Sequence, residues 1–509
     1  MKKFIVLSIV GLLVLSFGTT VFAQAKKEDP KLEFKVSGFI DAASFWARNV
    51  PYAYDVPPWT PFFAWAPPLY GPPPLFDIGT SGRGQALDKE RSLMQTRARL
   101  KLDAVMGKAL SGTIFFEMDS GHWGEAPGGR NQLGRWSGDQ TAVEIKNVYF
   151  DFGVPVIPVP TTVRVGLQPL AVRPHMVALS DGMGITAGIK VDPATISLYW
   201  FKALENLDYA SDDVDIYGLQ VAAKIQKMTV GGYGLYYNQN TYPLPAAVSS
   251  TVDYNSSMWW LGVFADGKLG PVDLNFDFVV DRGEVKDQRN ISPRARDVKY
   301  RGWATRLKVD YPWEKFNFGV VGMYASGSDQ KKTNSTGLPG TTTPYGTTTT
   351  EVGGYTVPTA SEQFPFGDSL LISGSGVWPG FQGYNVLNYA QMHRGSIGGT
   401  WVARLYGSYK AAPWYKVTLA GIYIGDTTKN GNTIGNARKT GTSLPRDDKT
   451  IGFEVDLINE INIYKNLKWD IGLGYLFAGD ALEYFDLATG RNKEGKDPWA
   501  LTTRLTYSF

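Results

Sequence analysis

The sequence predicts an all-β protein, a transmembrane antiparallel up-and-down β-barrel of about 18 strands (16 to 18), with long loops on one rim and short turns on the other. Three observations lead there. Apolar and polar residues alternate strictly in blocks of about ten, the period of a strand with two unlike faces. The connections between blocks alternate between very short and long, the rhythm of a meander with one tight rim. A secretory leader precedes them all.

The leader is MKKFIVLSIVGLLVLSFGTTVFA, in which Lys2 and Lys3 are followed by an apolar run from Phe4 to Phe17 and small residues at Val21 and Ala23. Cleavage after Ala23 divides the chain into a signal peptide (1–23), a short N-terminal periplasmic segment (24–31) and a barrel domain (32–509). A spanning helix needs about 20 apolar residues, more than this run supplies. Removing Lys2 and Lys3 lowers the formal net charge from +3 to +1, which gives no electrostatic reason to expect a nucleic-acid partner. The 509 residues contain no cysteine, so the fold holds without disulfides although an exported chain could form them. With 57 glycines and 13% aromatic residues, the composition favours turns and pleated, half-buried surfaces.

Four blocks show the alternation. In 303–311, Trp303, Thr305, Leu307, Val309 and Tyr311 share one face, and Arg306, Lys308 and Asp310 the other. In 272–280, Val272, Leu274, Phe276, Phe278 and Val280 oppose Asp273, Asn275 and Asp277. Phe453, Val455 and Leu457 alternate with Glu454 and Asp456. The last block sets Trp499, Leu501, Leu505, Tyr507 and Phe509 against Thr502, Arg504, Thr506 and Ser508.

Short connections are expected at Gly107-Lys108, Asp192-Pro193, Gly270-Pro271, Pro312-Trp313-Glu314, Pro413-Trp414 and Lys465-Asn466. Long ones are expected near 49–90, 121–139, 168–185, 239–256, 282–299, 327–397, 426–448 and 480–497. An even strand number places both termini on the tight-turn, periplasmic rim. An open sheet would leave two edges of unpaired backbone, which bilayer hydrocarbon cannot satisfy, so the sheet must close. A soluble sandwich or propeller would also alternate, but would not produce this rhythm of loop lengths. Interfacial aromatic girdles are expected from Tyr236, Tyr237, Trp259, Trp260, Tyr300 and Trp401 on the loop side, and from Tyr311, Trp313, Trp414, Tyr415 and Tyr464 on the turn side.

The ending Leu505-Thr506-Tyr507-Ser508-Phe509 resembles the C-terminal signature of Gram-negative outer-membrane barrels. That resemblance implies outer-membrane residence and delivery to the barrel-assembly machinery through Phe509. The layout of the mature chain resembles a bacterial porin. More narrowly, Val163-Arg164-Val165-Gly166-Leu167-Gln168, followed by Asp181-Gly182 and a new strand at 187–191, is similar to the alginate-export family, with Leu167 where that family has Arg. The resemblance implies a barrel with a basic interior and a transport role, needing no cofactor and no metal. The expected activity is passive diffusion of small hydrophilic, slightly anion-preferring solutes. A dedicated carrier of an acidic saccharide and an adhesive barrel with a blocked lumen are the alternatives. A homo-oligomer is left open, because an apolar outer face looks alike against lipid or a partner.

Alternation also assigns inward side chains. The pore-lining candidates are Arg97, Arg99, Lys101, Arg164, Arg173, Arg306, Arg404 and Arg504 among the cations, with Glu117, Asp277, Glu454 and Asp456 among the acids. The Arg97-x-Arg99-x-Lys101 cluster supports a basic constriction, yet the same cations would serve equally to pair with a carboxylate on the next strand, such as Glu117. The loop 168–185, with Arg173, His175 and Asp181, is the candidate for an inward-folding constriction, or else an ordinary outer loop. The Pro-aromatic run Tyr52–Phe76 suits a plug, a subunit contact or a stacking surface, and the Thr-rich stretch 341–350 reads as a flexible tip. No enzyme is expected: the three histidines, His122, His175 and His393, each fall in an expected loop, the best constellation is Asp119-Ser120-Gly121-His122-Trp123-Gly124-Glu125, and no activated nucleophile accompanies it.

Overall fold

The computed structural model describes residues 31–49, 90–123, 143–174, 176–205, 211–240, 254–288, 295–334, 337–358, 369–371, 398–432, 435–486 and 489–509, with the backbone alone at 91, 93 and 119–122. The leader, the Pro-aromatic run 52–76, His175 and His393 lie outside the described residues, as do the side chains of the Asp119–His122 constellation.

The strands in chain order are β1 (Leu32–Arg48), β2 (Glu90–Met106), β3 (Leu110–His122), β4 (Glu144–Gly153), β5 (Thr161–Val172), β6 (Ala178–Val191), β7 (Ala194–Leu204), β8 (Val214–Ile225), β9 (Met228–Gln239), β10 (Tyr254–Leu269) and β11 (Val272–Asp287). They continue with β12 (Val298–Tyr300), β13 (Trp303–Trp313), β14 (Phe316–Ala325), β15 (Glu351–Val352), β16 (Thr400–Ala412), β17 (Tyr415–Asp426), β18 (Thr450–Tyr464), β19 (Leu467–Ala478), β20 (Tyr484–Asp486), β21 (Arg491–Lys493) and β22 (Trp499–Ser508). Twenty of these join one sheet. The short β12 and β15 pair in parallel beside the wall, and the other eighteen form an antiparallel ring of sequential neighbours. The hairpin of β20 and β21 belongs to the last loop.

Closure joins β1 to β22, from Phe39 opposite Ser508 to Arg48 opposite Trp499. Gly38 and Phe509 extend it with reciprocal backbone hydrogen bonds of 3.0 and 3.1 Å. Both ends of the ring lie on the tight-turn rim, because Leu32 faces Met106 at the β2–β3 turn and Ser508 N–H donates to Asn466 at the β18–β19 turn. No helix among the described residues is long and apolar enough to cross a membrane, so the wall of strands is what could span one.

The four blocks face as their alternation requires. Trp303, Leu307 and Tyr311 are exposed on the outer surface while Arg306 is buried inside, and Phe453 and Leu457 are outward while Glu454 and Asp456 are inward. The expected short turns are present, the one at 312–314 displaced to 314–315 because β13 runs through Trp313; further connections on that rim lie at 154–160 and 226–227, and one more on the other rim joins Leu204 to Val214. The loop expected at 168–185 is only 173–177, because β5 continues to Val172 and β6 begins at Ala178 instead of 187.

Outward aromatic rings form stacked bands. Tyr236 lies 4.3 Å from Trp259 and Trp303 4.9 Å from Tyr324 on the loop side, and Phe316 lies 4.8 Å from Tyr409 on the turn side. Three expected girdle residues, Tyr237, Trp260 and Tyr300, instead point into the barrel and are buried there. The Thr-rich stretch is not a free tip either: Thr343 and Thr349 are buried, and Tyr345 Oη donates to the Asn430 carbonyl at 3.1 Å. This part of the loop between β14 and β16 packs on the loop between β17 and β18.

Candidate functional site

The β5–β6 hairpin leaves the wall. Pairing of β4 with β5 ends at Val148–Leu167, and pairing of β6 with β7 ends at Met183–Lys202, while β5 and β6 stay paired to Val172–Ala178. Residues 168–182 therefore form a two-stranded tip with no flanking strand. The departure point is Gly166, whose φ is +131° and where a Cβ would stand 2.3 Å from the Val148 carbonyl oxygen. Only glycine fits both the backbone angle and that approach. Pro169 follows on an unladdered edge, where a missing N–H is tolerated.

The tip turns inward. Arg173 reaches inward-facing carboxylates on β10 and β11, with Nη1 2.5 Å from Asp266 Oδ2 and Nη2 donating to Asp277 Oδ2 at 2.7 Å. Its guanidinium also lies over the Phe264 ring, 4.5 Å from the centroid. Beneath it is an apolar seat: Leu170, Val172, Met176 and Val177 of the hairpin are buried in one cluster with Phe201, Ile216, Leu235, Tyr237 and Trp260 of the inner wall. Burying each aliphatic side chain stabilises the docked tip by about 1.5–3 kcal/mol. Tyr355, from the loop between β14 and β16, donates its hydroxyl to the Met176 carbonyl at 2.6 Å, and burial holds that hydroxyl well above its ordinary range, so it stays a neutral donor. On the β4 side, Lys146 and Asn147 both donate to Asp181, at 2.5 and 2.7 Å, and Gln168 Nε2 donates to the Gly184 carbonyl at 2.7 Å. The loop singled out for Arg173 and Asp181 thus folds inward.

The remaining inward candidates are distributed around the ring, each against a partner. Arg97 and Arg99 on β2 both meet Glu117 on β3, at 3.3 and 3.0 Å, and Lys146 on β4 approaches the same carboxylate at 3.7 Å. Lys101 pairs with Asp103 at 3.1 Å. Arg164 donates to both oxygens of Asp151, at 2.7 and 3.1 Å, and stacks 4.0 Å from the Tyr149 ring centroid. Arg504 pairs with Asp41 at 2.5 Å across the closure. Arg306 is buried with Asn275 as a hydrogen-bond partner, and Arg404 is buried over the Tyr406 ring at 4.0 Å. Glu454 and Asp456 face inward but are covered by Ser369, Leu370 and Leu371.

Sequence reasoning missed Asp41, Lys146, Asp151, Asp181 as a partner, and Asp266. Asp41 and Asp151 alternate correctly within their strands and could have been found by the same rule. Lys146 is the extra residue of a bulge on β4, between Ile145 opposite Phe116 and Asn147 opposite Phe115, which breaks the count.

No protein-family model matches this sequence, and no curated protein does so either. Among solved structures, Pseudomonas aeruginosa OccK9 (OpdG) is 11% identical with a TM-score of 0.48, covering 94% of this chain and 98% of its own. P. aeruginosa OpdQ is 10% identical with a TM-score of 0.47 over the same shares. P. aeruginosa OccK8 (OprE) is 9% identical with a TM-score of 0.46, covering 93% of this chain and 98% of its own. At this identity and overlap, the likeness carries no argument about solute or site.

Proposed function

We propose that the chain is an outer-membrane porin, a passive channel for small hydrophilic solutes with a weak preference for anions. The observation that supports this best is the division of the ring into two unlike faces. The outer face carries exposed Leu, Val, Phe and Trp with aromatic bands, and the inner face carries Arg97, Arg99, Lys101, Arg164 and Arg504 with their carboxylates, a surface that takes water. The inward hairpin 168–182 narrows the passage and so supplies size discrimination. The anion preference rests on how the cations are grouped: Arg97 and Arg99 of β2 and Lys146 of β4 converge on the single carboxylate of Glu117, at 3.3, 3.0 and 3.7 Å, and concentrate positive charge on that side of the lumen.

The test is single-channel recording of the refolded mature protein in a planar bilayer under a salt gradient. Discrete open steps with a weakly anion-selective reversal potential are expected. Folded, inserted protein that passes no current would overturn the channel reading.

A further inference from the structure

The long loop between β14 and β16 takes hold of the inner wall at two places. On β11, Asp281 is fully buried and accepts from the Thr356 backbone N–H at 2.7 Å, the Thr356 hydroxyl at 3.2 Å and the Gly302 N–H at 2.5 Å. Trp260 Nε1 on β10 donates to the Thr356 carbonyl at 2.8 Å beside it. On β18, Glu454 and Asp456 are also fully buried. Glu454 accepts from the N–H groups of Leu370 and Leu371 at 2.9 and 2.8 Å and from the Ser369 hydroxyl at 3.0 Å; Asp456 accepts from Leu370 N–H at 3.1 Å. The two sites are separated around the ring by β13, β14, β16 and β17.

The second site is shaped as well as charged. Leu370 sits against the inward glycines of β19: a Cβ at Gly472 would meet Leu370 Cδ1 at 3.0 Å, and one at Gly474 would meet Leu370 Cβ at 3.1 Å. Side chains in place of these glycines would fill the recess. A carboxylate on the wall of a wet lumen keeps its hydration if left alone, and burying it costs several kcal/mol per ion. Charge-assisted bonds from backbone amides offset that cost only while the loop is docked. Three carboxylates committed this way are not accounted for by lining a passage, since none of them reaches water.

We propose that Asp281, with Glu454 and Asp456, are positioning residues that moor this loop inside the lumen, and that the mooring sets the largest solute the channel passes. The inference rests on the channel reading above and adds to it the groups that fix the bore. Amide donors are indifferent to the loop's side chains, so the moorings hold by the acceptor oxygens of the wall carboxylates, and an amide in place of a carboxylate sets an NH2 donor against the loop's own N–H groups and releases the loop without touching the strand ladder.

The experiment compares wild type, E454Q/D456N and D281N for unit conductance and for exclusion of neutral polymers of graded size, with heat-dependent gel mobility confirming that each barrel is folded. Both variants are expected to conduct about two-fold more or better and to admit larger polymers, as a wider constriction would. The chain has no cysteine, so L370C/G474C can be added to E454Q/D456N as a unique cross-link: the 3.1 Å between Leu370 Cβ and a Cβ at Gly474 falls short of the separation of about 3.5–4.5 Å that a disulfide takes, and the released loop can draw back by that difference. Oxidation is expected to return conductance and polymer cut-off to wild-type values, and reduction to raise them again. Folded variants with unchanged conductance and cut-off would overturn the mooring, as would an increase that the cross-link fails to reverse. A silent wild type with conducting variants would support the mooring and overturn the open channel, while silence of all forms would overturn both.

Discussion

An arginine in a wet lumen contributes to the field only what its neighbours leave uncancelled, and exposed pairs are worth about 0–1 kcal/mol each, so the inner ion pairs matter for selectivity more than for stability. The Glu117 cluster is the place to test this. Replacing Arg97 and Arg99 by Ala leaves Glu117 facing Lys146 alone, and the reversal potential under a salt gradient is expected to move toward cations. Replacing Glu117 by Gln removes the shared acid, and the shift is expected in the opposite direction. If neither variant moves the potential, this cluster does not set selectivity. Arg173 is a different case, because it meets a buried partner. Removing it takes both guanidinium hydrogen bonds from the buried Asp277 and leaves the charge of Arg306, opposite it on β13, to compensate the carboxylate in part, at a local cost of up to about 3–5 kcal/mol. For R173A the hairpin tip is expected to undock while the ladder of the wall stays intact, giving a folded barrel with a larger unit conductance. An unchanged conductance would show that the apolar seat alone holds the tip.

At the scale of elements, the hairpin 168–182 depends on one residue that can turn the chain out of the wall. G166A combines a positive φ with a Cβ 2.3 Å from a carbonyl oxygen, a strain of about 1–3 kcal/mol before any repacking. It is expected to lower the folded fraction in a urea refolding series followed by gel mobility, and wild-type refolding would mean that the turn is relieved elsewhere. The strands and most turns were legible because one face of each meets an apolar exterior and the other a polar interior, so Arg306 and Glu454 could be placed inward by counting twos. The same rule failed where something packs inside. Under the hairpin the inner face is apolar too, so Tyr237 and Trp260 looked like girdle residues although they form the seat, and Tyr300 did so although it packs under the loop between β14 and β16. Gly166 and Pro169, a glycine and a proline inside an otherwise regular strand, are the signals from which the departure could have been read. The partners of Arg173, 93 and 104 residues away in sequence, could not be found that way, since only closure of the ring brings β5 opposite β10 and β11.

For the whole molecule, the formal charge is small and the inner cations are paired around the ring, so no single binding step need govern passage. The weak anion preference then comes from the summed field of partly cancelled charges, and a field of that kind is screened by salt. The Debye length falls from about 30 Å at 0.01 M to about 3 Å at 1 M. Reversal potentials measured at a fixed salt ratio across that range are expected to show anion preference at low ionic strength and to approach the free-solution ratio of mobilities at high ionic strength. A preference that persists undiminished at 1 M would require direct coordination of the anion by a particular cation. In that event the Arg97, Arg99 and Lys146 group, three cations around one carboxylate, would act as a binding site for the permeating ion, and conductance should saturate with salt concentration.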